Sequence, residues 1–366
     1  MSSESVHALS RKEGWSAYVQ APDRVQPEPL TRTQFKSLSD DAAVDYLKHL
    51  RQWHANIGPV KTPQLAELHE TLWDIVDSNE QDGDQARSAV AVDAFPGLGK
   101  STSVIAFARA LHRREIAELG ALTAEGHERL PVCRVGLTGN TGIKDLNRSM
   151  LGFFGHPGRV RGTTTELGQR ALDCVLECDV RILIIDDLHF LKWGSSSGIE
   201  VSNHLKWISN EFPVTLIMIG VRLAEKGLFS EGRSPGEEAL AQTGRRTTLL
   251  DMRPFAIDTD RGRREWRQML LALEQRLVLP DKYPGMLADD LSDYVFARST
   301  GHIGSLMTLI RRGCQRAMRT EEFRLTQELL DKVRIDEASE RARQELQMAM
   351  ERGKLTSKPR QRRGRA

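Results

Sequence analysis

The chain of 366 residues is 39% apolar, 28% charged and 6% aromatic, the profile of an ordinary soluble globular protein with room for one α/β core and a smaller satellite domain. No run of eighteen apolar residues exists, which excludes a helix spanning a membrane, and no apolar stretch near the start reads as a signal peptide. Cys133, Cys174, Cys178 and Cys314 are too few and too scattered for a disulfide framework, so a reducing, cytoplasmic setting is expected.

Residues 1–38, with Pro22, Pro27 and Pro29, read as a loosely ordered arm. A helical prefix over 39–85 follows, with Tyr46, Leu47, Leu50 and Trp53 and then Leu65, Leu68, Leu72, Trp73 and Val76 at helical spacing. Its two helices break at Gly58-Pro59-Val60-Lys61-Thr62-Pro63, where Thr62 caps a helix that Pro63 begins. Over 86–255 strand and helix alternate. Strands are predicted at 89–92, 132–137, 181–185 and 214–219, and helices at 100–119, 143–154, 165–177 and 205–210. That alternation implies a parallel, doubly wound sheet. After Pro254-Phe255 the strands stop, and helical patterns at 266–277, 287–297, 303–318 and 325–333 predict a small all-α domain over 256–335. Residues 336–366 form a helical and basic tail.

That tail accounts for the charge asymmetry. After Glu351 come Arg352, Lys354, Lys358, Arg360, Arg362, Arg363 and Arg365 with no acid, and without these seven the formal charge of +2 becomes −5. Such a tail either attracts polyanions or merely solubilises the chain end.

The segment Ala94-Phe95-Pro96-Gly97-Leu98-Gly99-Lys100-Ser101-Thr102 lies between a predicted strand and a predicted helix, the context of a phosphate-binding P-loop. Successive backbone N–H groups and the helix N-terminus surround a phosphate there, and Gly97 and Gly99 remove Cβ atoms that would block close approach. Lys100 supplies a charge toward β- and γ-phosphate oxygens, and Ser101 a hydroxyl for Mg2+. Ala94 stands where the first glycine of such a loop is usual, which would strain the backbone if the position required positive φ. Some eighty residues on, Ile182-Leu183-Ile184-Ile185-Asp186-Asp187 reads as a Walker B strand, with Asp186 for Mg2+ and Asp187 to orient the attacking water.

With these motifs, the Thr62-Pro63 helix start and Thr300-Gly301-His302-Ile303-Gly304-Ser305-Leu306 near the end, the chain resembles the TniB/TnsC-type AAA+ ATPases of bacterial transposons over most of its length. The resemblance implies a homo-oligomer, ring or helical filament, that assembles with ATP and Mg2+ on double-stranded DNA. It also implies recruitment or activation of a transposase, with a target-selector protein as a further partner. It places an arginine finger in Thr243-Gly244-Arg245-Arg246, at Arg245 or Arg246, to reach a neighbour's γ-phosphate. Aspartate at 187 where glutamate is usual, and the lack of an arginine at the sensor 2 position, imply a slow switch rather than a fast motor. Sensor 1 is either absent or taken by Arg222.

For DNA, the loop Thr138-Gly139-Asn140-Thr141-Gly142-Ile143-Lys144 with Arg148 corresponds to the axis-facing region of related ATPases, and Arg159 and Arg161 form a second candidate pair. Each of these cations also has a plain reading as surface charge. Trp193 and Gly194-Ser195-Ser196-Ser197-Gly198 read as a linker or a loop reporting nucleotide state, and His156, His189 and His302 as structural. Cys174 and Cys178 read as small buried hydrophobes. Two other functions share these motifs: a helicase-loader-type ATPase of replication, and a signalling ATPase that contacts only proteins.

Overall fold

The computed structural model describes residues 8–81, 87–139, 141–190, 197–223, 225 and 244–359. Asn140, Trp193 with most of its serine run, Thr243 and the arginines from Arg360 onward lie outside the described residues. The chain divides into two compact units, one of Met1–Pro22, Glu67–Pro96 and Lys100–Met252, the other of Asp23–Ala66, Gly97–Gly99 and Arg253–Ala366.

In the first unit five parallel strands, β1 (Ala89–Ala94), β2 (Val132–Gly136), β3 (Ile182–Asp186), β4 (Thr215–Gly220) and β5 (Thr247–Met252), line up in the order β2-β3-β4-β1-β5. The central strands are apolar runs because both faces are covered: every residue of β3 and β4 is buried. The fifth strand was not among the predicted ones. It sits at the sheet edge with Thr248, Leu249 and Asp251 exposed, so its mixed sequence lacks the signature of its neighbours. Register fixes what meets at the carboxyl edge: Asp93 pairs with Gly220 and Gly136 with Asp186, so the exits of β1 to β4 share one rim.

Helices α5 (Lys100–Leu119), α6 (Ile143–Phe153) and α7 (Thr164–Glu177) form where the periodicity places them, whereas α8 (Ser197–Glu211) starts well before the predicted 205–210 and takes in Ser197 and Gly198 of the run read as a linker. Thr163 begins α7 with a capping box to Glu166. The loose arm expected over 1–38 is instead folded where it is described. Helix α1 (Lys12–Gln20) buries Trp15 completely, and Trp15 Nε1 donates to His112 Nδ1 of α5 at 3.1 Å. The guanidinium of Arg113 closes the contact on the Val19 and Ala21 carbonyls. A second short helix, α2 (Arg32–Lys36), carries its own capping box from Thr31. Trp15, Tyr18 and Val19 stand at i, i+3 and i+4 on one face of α1, a pattern one short helix long beside the prolines that suggest a loose arm.

In the second unit α3 (Asp40–Ala55) packs with the C-terminal helices α9 (Asp260–Arg276), α10 (Ser292–Ser299), α11 (Ile303–Arg319) and α12 (Gln327–Asp331) around Leu50, Trp266, Leu270, Leu309 and Ile310. Helix α4 (Pro63–Ser78) starts at the Thr62 cap, whose Oγ1 accepts from Leu65 N–H. The helix predicted over 287–297 is broken. A π-turn at Met286–Asp290 precedes α10, because buried Glu274 takes the N–H groups of Gly285, Leu287 and Ala288. Arg298 is also fully buried. Its guanidinium binds the Tyr294 hydroxyl, the carbonyls of Leu330 and Val333, and Glu340 of α13 (Glu337–Glu351). No helix is long and apolar enough to cross a membrane among the described residues. The four cysteines are free; Cys174 is buried and Cys178 half-buried.

Two expectations follow for stability. Trp15→Ala should lower it by about 3–5 kcal/mol in urea denaturation, whereas a loose arm would leave the midpoint unchanged. Burial pushes His54, His112 and His204 down to about 4. Each is therefore neutral when folded and takes its proton more readily once unfolded. The stability is full above the unfolded value near 6.5 and is lost as the pH falls toward 4. Going from pH 7 to pH 5 should cost about 2 kcal/mol per histidine. An unchanged midpoint would contradict the neutral burial.

Candidate functional site

Strand β1 ends at Ala94, and after five intervening residues the chain enters α5 at Lys100. Between them Gly97 and Gly99 adopt φ of +79° and +83°, while Leu98 is buried at 2% exposure and anchors the turn. Both glycines hold left-handed backbone that a side chain would strain. Ala94 does not: it completes the strand with Met252 opposite and is not a positive-φ residue, so the conditional strain at this position does not arise. Phe95 and Pro96 are exposed, and Thr102 is exposed one residue past Ser101.

Lys100 Nζ lies 3.4 Å from the Phe95 carbonyl. Burial holds its pKa below the ordinary ammonium value, against the pull of Asp187, Asp186 and Asp93. Ser101 Oγ donates to Asp186 Oδ1 at 2.9 Å, joining the first turn of α5 to the end of β3. The same oxygen accepts the Asp187 N–H at 3.0 Å, and Asp186 Oδ2 receives the Arg134 guanidinium at 2.7 Å. Asp186 is 3% exposed, so this set of donors makes its charge tolerable. Arg134 of β2 was not anticipated. Its signal was a lone cation inside Val132-Cys133-Arg134-Val135, on a strand with buried neighbours.

Asp187 turns out of the strand at φ +60°, a conformation uncommon for a non-glycine residue, and its side chain is about half exposed. His189 Nδ1 lies 3.9 Å from it, an ion pair only when the ring is protonated. Two carboxylates and a hydroxyl at one rim suit a hard cation that takes its remaining ligands from water and phosphates, as Mg2+ does. No group of three or more His, Cys, Asp or Glu that could hold a metal exists among the described residues, and such a cage is the alternative arrangement. Arg222 leaves β4 at φ +54°, and its guanidinium lies 5.4 Å from the Phe95 ring centre.

The glycine pair in Gly301-His302-Ile303-Gly304 has a steric cause. Within the second unit, Gly304 N–H donates to the Gly97 carbonyl at 2.8 Å. A Cβ on Gly304 would sit 2.7 Å from that oxygen and 3.1 Å from Gly97 Cα; one on Gly301 would sit 2.1 Å from the Phe255 carbonyl oxygen. Helix α11 thus begins against the phosphate-loop turn itself.

Arg245 and Arg246 immediately precede β5 at the sheet edge, both exposed. Arg246 Nη1 donates to Asn210 Oδ1 at 2.8 Å, while Arg245 makes no hydrogen bond or ion pair with a described residue. Of the five DNA candidates, the structure brings two together. Arg148 and Arg159 line a groove of about 650 Å³ with Arg11 and Arg134. Arg148 is held by Asp145 at 3.1 Å, and Arg11 by the Gly152 carbonyl at 2.5 Å. Lys144 stands half-buried on the first turn of α6, while Thr138 and Arg161 are exposed; none of the three lines the groove. Thr138 closes a turn through its backbone N–H and carbonyl with the Thr141 hydroxyl. His156 accepts the Gly158 N–H, and His302 bonds Thr300, both local structural roles.

The model of the bacterial TniB protein family matches residues 58–231, the segment holding the glycine loop, Asp186 and Asp187. No curated protein matches the chain. Among solved structures, the Orc1 protein of Aeropyrum pernix in complex with DNA is 17% identical, with a TM-score of 0.51 over 82% of this chain and 70% of that one. Cdc6p from Pyrobaculum aerophilum is 13% identical, with a TM-score of 0.50 over 83% of each chain. At these identities the likeness establishes the fold: a P-loop α/β ATPase sheet followed by a helical region.

Gly304→Ala should displace the Gly97 turn and weaken binding of a fluorescent ATP analogue by about tenfold, the effect of roughly 1–3 kcal/mol of overpacking. Unchanged affinity would show that the approach of the two glycines does not shape the loop.

Proposed function

We propose that this TniB-type AAA+ ATPase, matched to the family over residues 58–231, binds and hydrolyses ATP and in its ATP state assembles on double-stranded DNA to recruit or activate a transposase. The observation that carries the nucleotide part is the Ser101–Asp186 bond, which sets the hydroxyl and carboxylate of the two motifs at one rim beside Lys100. The family match carries the transposition part. The DNA in the Aeropyrum pernix Orc1 complex is in keeping with a duplex partner.

In this reading the N–H groups from Gly97 to Thr102, after Pro96 sets the turn, surround the phosphates, with Gly97, Leu98 and Gly99 bringing the backbone close. Lys100 places its charge on the β- and γ-phosphate oxygens, helped by a half-buried setting that strengthens the attraction. Ser101 and Asp186 hold Mg2+, which when bound offsets the phosphate charge. Arg134 positions Asp186. Asp187, projecting from its left-handed backbone, orients the attacking water and accepts its proton. Arg245, exposed and unpaired with any described residue, reaches the γ-phosphate of a neighbouring subunit, with Arg246 beside it. An aspartate base is shorter than glutamate, which favours slow turnover suited to a switch. Lys144, Arg148, Arg159 and Arg161 meet the phosphate backbone, with Thr138 as a hydrogen-bonding neighbour, giving affinity without base readout.

Turnover measured across protein concentration tests the assignments. Lys100→Ala should abolish nucleotide binding. Asp187→Asn should keep binding and lower turnover by about 100-fold or more. Arg245→Ala should lower turnover by about 1,000-fold only at concentrations where the protein oligomerises. An equal loss in a dilute monomer contradicts a finger acting on a neighbour.

A further inference from the structure

A second basic groove lies in the second unit. Arg311, Arg312, Arg316 and Arg319 of α11, with Lys332 and Arg334 beyond α12, line a space of about 560 Å³. None of these six cations forms an ion pair with a described residue. Elsewhere in the same unit Arg32, Arg261, Arg263, Arg267, Arg298, Arg341 and Arg343 each meet a carboxylate, and what distinguishes the six is that they gather around one concavity without one. Arg312 and Arg316 are instead braced on main-chain carbonyls, those of Arg334 at 2.5 Å and Lys332 at 2.7 Å. Those bonds fix the guanidinium stems and leave the charge uncompensated.

The other side chains have less. Arg311 is half-buried, its Nε has no hydrogen-bond partner, and burial alone holds its pKa below the ordinary guanidinium value. The side chains of Arg319, Lys332 and Arg334 are exposed and make no hydrogen bond or ion pair with a described residue. Six like charges around one concavity repel one another, and the arrangement is eased by a bound anion.

We propose that this groove on α11 is a phosphate-backbone site for duplex DNA, separate from the loops of the first unit. Arg312, Arg316 and Arg319 recur at the i, i+4 and i+7 positions of one helix face. They span about 10 Å at 1.5 Å per residue, roughly three base-pair steps along a strand. Among the described residues the groove is lined by no aromatic side chain, and Ala55 and Val333 are its apolar lining. A protein partner would be expected to find aromatic or large apolar anchors there, whereas a phosphate backbone needs charge alone. The choice of duplex DNA as the ligand rests on the function proposed above; the uncompensated groove does not.

The test is fluorescence anisotropy of a labelled random-sequence duplex with the full chain and a non-hydrolysable ATP analogue, over a range of KCl concentrations. The triple substitution Arg319→Gln, Lys332→Gln and Arg334→Gln removes three charges that hold nothing else in place. It should weaken binding by about tenfold or more and flatten the slope of log K against log salt by roughly two to three. Nucleotide binding should be unchanged. The comparison protein carries Lys144→Gln, Arg159→Gln and Arg161→Gln in the first unit. If that protein loses DNA while the α11 triple variant keeps the wild-type affinity and slope, the groove is not a DNA site although the chain binds DNA. If the wild-type chain itself does not bind the duplex, both readings fall. Labelled polyglutamate binding that the α11 substitutions abolish, without an effect on DNA, would make the occupant an acidic protein segment and overturn the proposal.

Discussion

The buried carboxylate of Asp186 is the constraint on which the site depends. At the end of a strand with no exposed residue, it meets a hydroxyl from α5, a guanidinium from β2 and the N–H of its own successor. A charge removed from water must be paired or hydrogen-bonded, and here two other elements and the following backbone N–H supply the partners. The parallel register makes this possible by ending β1 through β4 at a common rim, so one carboxylate ties together both motifs and the neighbouring strand. Asp187 follows in a left-handed turn with its side chain about half exposed.

Much of this was legible in the sequence, because the central strands are long apolar runs and the glycine loop sits between a strand and a helix. The four buried strands, the long helix after Lys100 and the helical C-terminal region follow from periodicity. What escaped detection lacks sustained periodicity. Edge strand β5 does not alternate because neighbouring Thr248 and Leu249 are both exposed, and α1 holds its place through Trp15 and Val19, with Trp15 meeting His112 across almost a hundred residues. The π-turn before α10 depends on Glu274, whose carboxylate competes for N–H groups that a regular helix would have used. Arg134 was visible as a misplaced charge, but its target could be known only from the pairing of β2 with β3. The glycines of the late motif show in the sequence only as a spacing, and their cause is the close approach of two main chains.

The distribution of positive charge divides into two kinds. Many arginines are paired locally with carboxylates, some of them i, i+3 or i, i+4 neighbours on one helix, and these are structural. Around two concavities the balance differs. The groove of Arg11, Arg134, Arg148 and Arg159 has partial compensation from Asp145 and Asp186, while the groove on α11 has no ion-paired partner among the described residues. A chain with a formal charge of only +2 concentrates its cations in particular places, so net charge is a poor guide to what this protein attracts.

The most direct measurement is electron microscopy of the purified protein with duplex DNA, with an ATP analogue in one sample and ADP in the other. The account predicts rings or filaments on DNA with the triphosphate alone, with Arg245 of each subunit at the neighbouring nucleotide. Monomers indifferent to DNA in both samples would contradict it, leaving a P-loop ATPase whose partner is another protein.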